Sequence, residues 1–237
     1  MFPIRDTVPH RHLPWVTWLL IAANVGVFVF ELALDDAQLR DLFLLCGVVP
    51  ARYTEALFAE RHGLPPGDWW PFLTSQFLHG GWLHLIANVW TLSIFGDNVE
   101  DRLGPLRYLV FDLLVGLVAA AAHVASDPGS NLPVIGASGA IAGVMGAYFV
   151  SFPRARIVTL VPIFFWPVFV ELPALVYLGL WFLLQLSSGN LARAGHADAG
   201  GVAWWAHVGG FVAGIALLWL FLPARSRRRA RARTAHG

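Results

Sequence analysis

Long apolar stretches recur along this chain, and they restrict what it can fold into more than any other feature. A helix needs about 20 largely apolar residues to cross a hydrocarbon core of about 30 Å. Residues 13–34 meet that length outright, with Trp15 and Trp18 suited to an interface. Residues 82–96, 105–124 and 138–152 follow, the first and third short but extensible into apolar flanks. The next apolar region, residues 157–186, is broken by Pro162, Pro167 and Pro173. Two spans need about 40 residues, so this region supplies one. Residues 170–187 are expected as a helix, and residues 157–169 as a hydrophobic loop or interfacial piece. Residues 203–222 form the last span. The expected fold is therefore all-α: a polytopic membrane protein whose six transmembrane helices occupy residues 13–222, with residues 1–12 ahead and an Arg-rich tail, 223–237, behind.

Composition supports that fold and removes its rivals. Of the 237 residues, 57% are apolar and 13% charged, where a soluble domain carries about 25% charged residues. A single cysteine, Cys46, rules out a disulfide scaffold. The first apolar run is too long for a secretory signal core, and no small-x-small cleavage site follows before Asp35–Asp36, so it is read as a retained helix.

Six spans place both termini on one side, and arginine counting says which. Termini inside puts Arg5, Arg11, Arg102, Arg107, Arg154, Arg156 and six tail arginines on the inner face, and Arg40, Arg52, Arg61 and Arg193 on the outer face. Both termini are expected to be cytoplasmic, in a bacterial inner membrane. The run Arg225–Arg233 reads as a topology anchor near lipid headgroups and not as a nucleic-acid site. The stretch 35–81 is expected as a partly embedded outer loop with short helices.

Polar groups inside spans cost several kcal/mol when unpaired, which makes them functional candidates by default. Spans two, four and six all run inward, so their first residues lie at similar outer depths. Span two opens with His84 and Asn88, an i, i+4 pair on one helix face. Span four opens with Ser138, inside Gly136–Ala137–Ser138–Gly139, and span six carries His207 one turn in. Gly139 and Gly143 are four residues apart, as are Ala142 and Gly146, and as are Ala206, Gly210 and Gly214. Small residues at that spacing let helix backbones approach closely, which would bring Ser138 toward His207. A serine hydroxyl becomes a useful nucleophile only when a base within about 2.6–3.2 Å takes its proton. His84 and Asn88 would then be donors aimed at a developing oxyanion.

These residues carry a resemblance to the rhomboid family of intramembrane serine proteases. The matching segments are His79–Gly80–Gly81–Trp82–Leu83–His84–Leu85–Ile86–Ala87–Asn88, then Gly136–Ala137–Ser138–Gly139, then Ala206–His207–Val208–Gly209–Gly210 with Gly214. The segment Gly47–Arg52 also resembles the start of that family's first outer loop. The resemblance implies a six-helix rhomboid bundle. It implies Ser138 as nucleophile and His207 as general base and acid, a dyad without a carboxylate. It further implies an oxyanion hole from His84, Asn88 and the Ser138 backbone N–H. His79 matches a structural histidine, and Glu100 with Arg102 an acid–x–Arg brace at the cytoplasmic end of spans two and three. The implied activity is cleavage of other proteins' transmembrane segments near the outer face, with access past span five and residues 188–201. Transmembrane substrates and lipids are the implied partners, and no cofactor or metal is implied.

Three positions depart from the family pattern. Trp70 is followed by Pro71 where Trp-Arg is usual, and Ala142 stands where an aromatic usually stacks on the histidine, leaving Trp204 or Trp205 to hold His207. Asp112 lies within span three, where pairing with Arg107 or an internal hydrogen bond is expected. The first rival function is a catalytically inactive rhomboid-like protein that binds membrane clients, although such proteins normally lack the serine or histidine. Haem held by His84 and His207 would leave Ser138 and its glycines unexplained. A zinc protease lacks the HExxH spacing, since His79 and His84 are five apart.

Overall fold

A computed structural model describes residues 2–65, 67–163, 166–193 and 202–223. Residues 224–237, and with them the arginines expected to anchor the tail, lie outside the described residues, as do residues 194–201 of the loop before the last helix.

The chain starts with a short strand, β1 (Phe2–Asp6), and enters the first long helix, α1 (Trp15–Glu31). Residues 35–81 then fold, as expected, into short helices: α2 (Asp36–Cys46), α3 (Ala51–Thr54), α4 (Phe58–Arg61), α5 (Trp70–Thr74) and a 3-10 turn, Ser75–Phe77. Helices α6 (Trp82–Leu103), α7 (Pro105–Ser126) and α8 (Ser138–Ser151) follow. Strands β2 (Arg156–Ile163) and β3 (Trp166–Pro173) precede α9 (Ala174–Arg193) and α10 (Trp204–Phe221). Among the described residues, α7, α9 and α10 are each long and apolar enough to cross a membrane, and α1 and α8 are shorter apolar helices. Helix α6 has the length, but its last turns carry Asp97, Glu100, Asp101 and Arg102.

Two expectations are corrected here. The molecule is not purely helical, because β1, β2 and β3 form a three-stranded antiparallel sheet in that order. The apolar piece at 157–169 is thus part of a hairpin, and the helix expected from residue 170 begins at Ala174 and runs to Arg193. The physical reason lies in the sequence of the hairpin. Pro162, Pro167 and Pro173 remove donors and clash with a helical turn, and Val158, Thr159, Val161, Val168 and Val170 are β-branched residues that favour extended backbone. Pro162 and Pro167 face each other at the turn end of the hairpin, where missing N–H groups cost least.

Glu100 settles how the bundle starts. Its buried carboxylate accepts from the backbone N–H groups of Val16 (3.0 Å) and Thr17 (2.8 Å) and from the Thr17 hydroxyl (2.8 Å). A carboxylate there satisfies orphan donors and complements the positive end of the helix dipole. The acid–x–Arg element therefore braces α1 rather than spans two and three alone. Arg102 lies over the Phe152 ring at the end of α8, 5.8 Å from its centroid. Between α1 and α6, Arg52 ties the short helices together. Its buried guanidinium donates to the Leu45 and Pro65 carbonyls, both at 3.1 Å, and pairs with Asp68 at 3.3 Å.

Helices α8 and α10 form the tightest pair, and small residues are the cause. A Cβ on Gly210 would overlap the Gly139 carbonyl, one on Gly214 the Gly143 carbonyl, and one on Gly146 the Phe211 carbonyl. The expected close approach is present. Backbone touches backbone along three turns, and the core around it is filled by Phe95, Tyr108, Phe111, Val115 and Tyr148.

Candidate active site

Ser138 is the first residue of α8, and His207 lies in the first turn of α10. With the two backbones locked, the side chains meet. His207 Nε2 is 2.8 Å from Ser138 Oγ, the separation a general base needs to take a hydroxyl proton. The opposite ring nitrogen, Nδ1, is 2.7 Å from Gln185 Oε1. Because that oxygen only accepts, Nδ1 carries the proton and Nε2 presents its lone pair to the serine. Gln185 comes from α9 and is buried, with 8% of its surface exposed.

Gln185 is the site residue that sequence reasoning missed. The available signal was a single polar side chain in an otherwise apolar span, which membrane energetics marks as partnered or functional. The imidazole is also flanked by rings. Trp181 lies 6.0 Å away in a tilted arrangement, and Trp204 meets it edge-on at 6.3 Å. Of the two tryptophans expected near His207, Trp204 is the one that meets its ring. Trp205 instead packs on Gly189, and the Arg193 guanidinium lies over its ring, 5.6 Å from the ring centroid.

The residues expected to form an oxyanion hole converge on the backbone just before the serine. Gly136 has φ +117°, a conformation that glycine adopts without strain. A Cβ there would run into the His84 ring, at 2.7 Å from Cε1, and lie 3.6 Å from the Asn88 amide nitrogen. His84 and Asn88 therefore rest against a backbone that must lack a side chain. Gly139 serves the same purpose one residue after Ser138, where a Cβ would press on Ala119.

His79 orients this group. Its ring is buried beside His84, centroids 5.1 Å apart. His79 Nδ1 donates to the Phe77 carbonyl (3.2 Å), which leaves Nε2 to accept from the Asn88 amide at 3.0 Å. One Asn88 N–H is thereby fixed and the second remains for another acceptor. The His79 backbone N–H donates to the Glu31 carboxylate at 3.0 Å, tying the turn to α1. Burial, reinforced by nearby His84, holds the His79 imidazole down at about 4 and so neutral.

Of the residues expected at the site, Ser138, His207, His84, Asn88, His79, Gly136 and Gly139 gather at one end of the bundle, and Gly210 and Gly214 form the lock behind them. Glu100 and Arg102 lie at the other end of α6. Asp112 makes no ion pair with Arg107. No group of three or more His, Cys, Asp or Glu side chains that could hold a metal ion occurs among the described residues.

Comparison with known proteins agrees with the resemblance. Residues 66–224 match the model of the rhomboid domain. RHOMBOID-like protein 5 of Arabidopsis thaliana is 29% identical over 242 residues, covering 92% of this chain and 71% of that protein. Rhomboid protease GluP of Bacillus subtilis is 31% identical over 209 residues, covering 86% of this chain and 35% of GluP. A shorter match, 36% identical over 78 residues, is to Inactive RHOMBOID-like protein 8 of Arabidopsis thaliana, covering 33% of this chain and 22% of that protein. The chain spans about a third of the length of GluP. It belongs to the rhomboid family, and it is a membrane protein with a largely helical domain.

Proposed function

From that family membership and the geometry around Ser138, we propose that this protein is an intramembrane serine endopeptidase. Its substrates are transmembrane segments of other membrane proteins, cut near the outer face. The observation that carries the proposal is the relay from Gln185 through His207 to Ser138, with contacts of 2.7 and 2.8 Å.

In this reading Ser138 Oγ attacks the scissile carbonyl while His207 Nε2 takes its proton. The second Asn88 N–H, His84 and the Ser138 backbone N–H collect the negative charge on the carbonyl oxygen. Donors of this kind each contribute about 10²–10³ in rate. His207 then gives the proton to the leaving amine, and water hydrolyses the acyl-enzyme by the reverse relay. Gln185 holds the imidazole in the productive tautomer and rotamer. Being neutral, it adds no charge to stabilise the imidazolium. A helical substrate must unwind locally before its shielded carbonyl can be reached, so small or helix-weakening residues near the boundary are favoured.

The same reading sets α1, α6, α7, α8, α9 and α10 as six spans with both termini cytoplasmic, in a bacterial inner membrane. The 12 to 4 arginine asymmetry supports that orientation. The exposed Trp166 and Phe169 of β3 suit a hairpin resting in the interface. Residues 13–222 then form the catalytic domain, with 1–12 and 223–237 on the cytoplasmic side and the tail near lipid headgroups.

The second reading, a client-binding protein without activity, draws on the likeness to an inactive relative. Labelling of the purified protein in detergent by a fluorescent fluorophosphonate separates the two. Labelling of the intact chain, lost in both Ser138→Ala and His207→Ala, is the expected result. Equal labelling of all three, or none under several lipid conditions, supports the client-binding reading instead.

A further inference from the structure

Behind the first turn of α8, away from the serine and histidine side chains, three buried oxygens accept no hydrogen bond from any described residue. They are Asn24 Oδ1 of α1, Gln76 Oε1 of the 3-10 turn and Asp112 Oδ1 of α7. Their residues are 3%, 5% and 5% exposed. Asn24, Gln76 and Asp112 line one small cavity, together with Ala137 and Ala140.

The orientation of the two amides follows from their other contacts. Asn24 Nδ2 donates to the Leu20 carbonyl at 2.7 Å, and Gln76 Nε2 to the Phe72 carbonyl at 3.0 Å. Turning either amide over would set oxygen against oxygen. Gly116, one turn beyond Asp112, leaves the space that Gln76 fills, since a Cβ there would overlap the Gln76 amide. Three buried side chains that line one cavity thus each keep an oxygen without a donor. A buried acceptor without a donor costs about 1–3 kcal/mol, so this arrangement calls for a donating ligand.

The cavity offers about 10 Å³ to the centre of a water-sized sphere, roughly the minimum for one water, and buried waters typically make about three hydrogen bonds. Calcium and magnesium ask for about six oxygens or more, twice what converges here. We propose that Asn24, Gln76 and Asp112 bind one water molecule. The water donates to the two amide oxygens and accepts from Asp112 as the carboxylic acid, so that all three residues are satisfied with no net charge. It joins α1, the outer turn and α7 directly behind the turn that carries Ser138. This site is independent of whether the serine is active.

The test combines a water-resolving structure of the full chain with thermal unfolding in detergent. A density peak within hydrogen-bond distance of at least two of the oxygens is expected, and an empty cavity would overturn the proposal. Asp112→Asn keeps a donor for the water and should melt within about 2 °C of the parent. Asp112→Leu displaces the water and strands both amide oxygens, and should melt several degrees lower, at about 2–4 °C per kcal/mol for a chain of this size. A leucine variant as stable as the parent counts against a polar ligand. Melting that rises in sodium chloride relative to choline chloride, and ceases to do so in Asp112→Asn, replaces the water by a cation and also overturns the proposal.

Discussion

Helices α10 and α9 bring His207 and Gln185 to the Ser138 site, yet they are held to the bundle by different means. Helix α10 meets α8 backbone to backbone, with Gly210, Gly214 and Gly146 each facing a carbonyl across the contact. Helix α9 is held by side chains, through the buried Tyr177 and Leu178, while Leu180, Leu183 and Leu184 face outward. The difference sets what can vary. The 2.8 Å contact of His207 with Ser138 is fixed by two backbones that cannot slide without collision. The 2.7 Å contact with Gln185 depends on a helix whose seat is softer. A displacement of α9 would release Nδ1 of the base and leave the serine contact in place. In the proposed reading, access past α9 and orientation of the base are thus physically linked.

The largest effect should come from breaking the α8–α10 contact. Gly210→Val would drive a branched side chain into the Gly139 carbonyl. A loss of about 3 kcal/mol of stability or more is expected, together with loss of fluorophosphonate labelling, both readable in one detergent preparation. If this variant labels normally, the backbone lock does not set the dyad geometry.

A smaller and differently shaped effect is expected from α9. Gln185→Leu should slow labelling by about 10- to 100-fold, the range that loss of an orienting partner costs metal-ligating histidines, while the melting temperature changes little. Gln185→Glu retains an acceptor oxygen and should recover most of the rate. A leucine variant that melts as early as Gly210→Val would show that α9 is as essential to packing as α10, and the contrast would fail. Trp181→Ala removes one face of the imidazole's enclosure and should slow labelling by only several-fold, since aromatic ring contacts contribute about 0.5–1.5 kcal/mol.

The smallest effects concern pH and separate the two ends of α8. Near its start, His79 is held down at about 4, against about 6.5 in an unfolded chain. Its folded-state value is depressed, so its contribution is present above pH 6.5 and fades as pH falls toward 4. At the far end, burial raises Asp6 to about 6 although Tyr148 donates to it. Its contribution is present below about 4 and is lost as pH rises through 6. The two slopes oppose each other between about pH 4 and 6. Thermal unfolding of His79→Gln should lose the first slope and of Asp6→Asn the second; identical pH profiles for both variants and the parent would contradict this assignment.

Much of the site was legible because its residues sit in short local patterns. His84 and Asn88 share a helix face, Ser138 opens a helix between glycines, and the glycine spacing in α8 and α10 announced their contact. Gln185 was not legible, since it is 22 residues from its partner and belongs to no spacing pattern. Glu100 was recognised as structural, but its partners at the start of α1 lie 83 and 84 residues earlier. The sheet escaped for the same reason. Four residues at the start of the chain, Phe2, Pro3, Arg5 and Asp6, find their pairing more than 150 positions away.

By itself the sequence determined the membrane setting and the approximate placement of the long helices, which follow from composition and from the length of the apolar runs, and helical periodicity fixes which residues share a face. The roles proposed for Ser138 and His207 came from the family resemblance of the motifs that hold them. Only the tertiary structure decided that Gln185 reaches His207, that Glu100 caps α1, and that Asn24, Gln76 and Asp112 line one cavity. Those outcomes depend on how separate helices cross and how closely they approach, and hydrogen bonds, effective only within about 3 Å, record that approach where linear spacing does not.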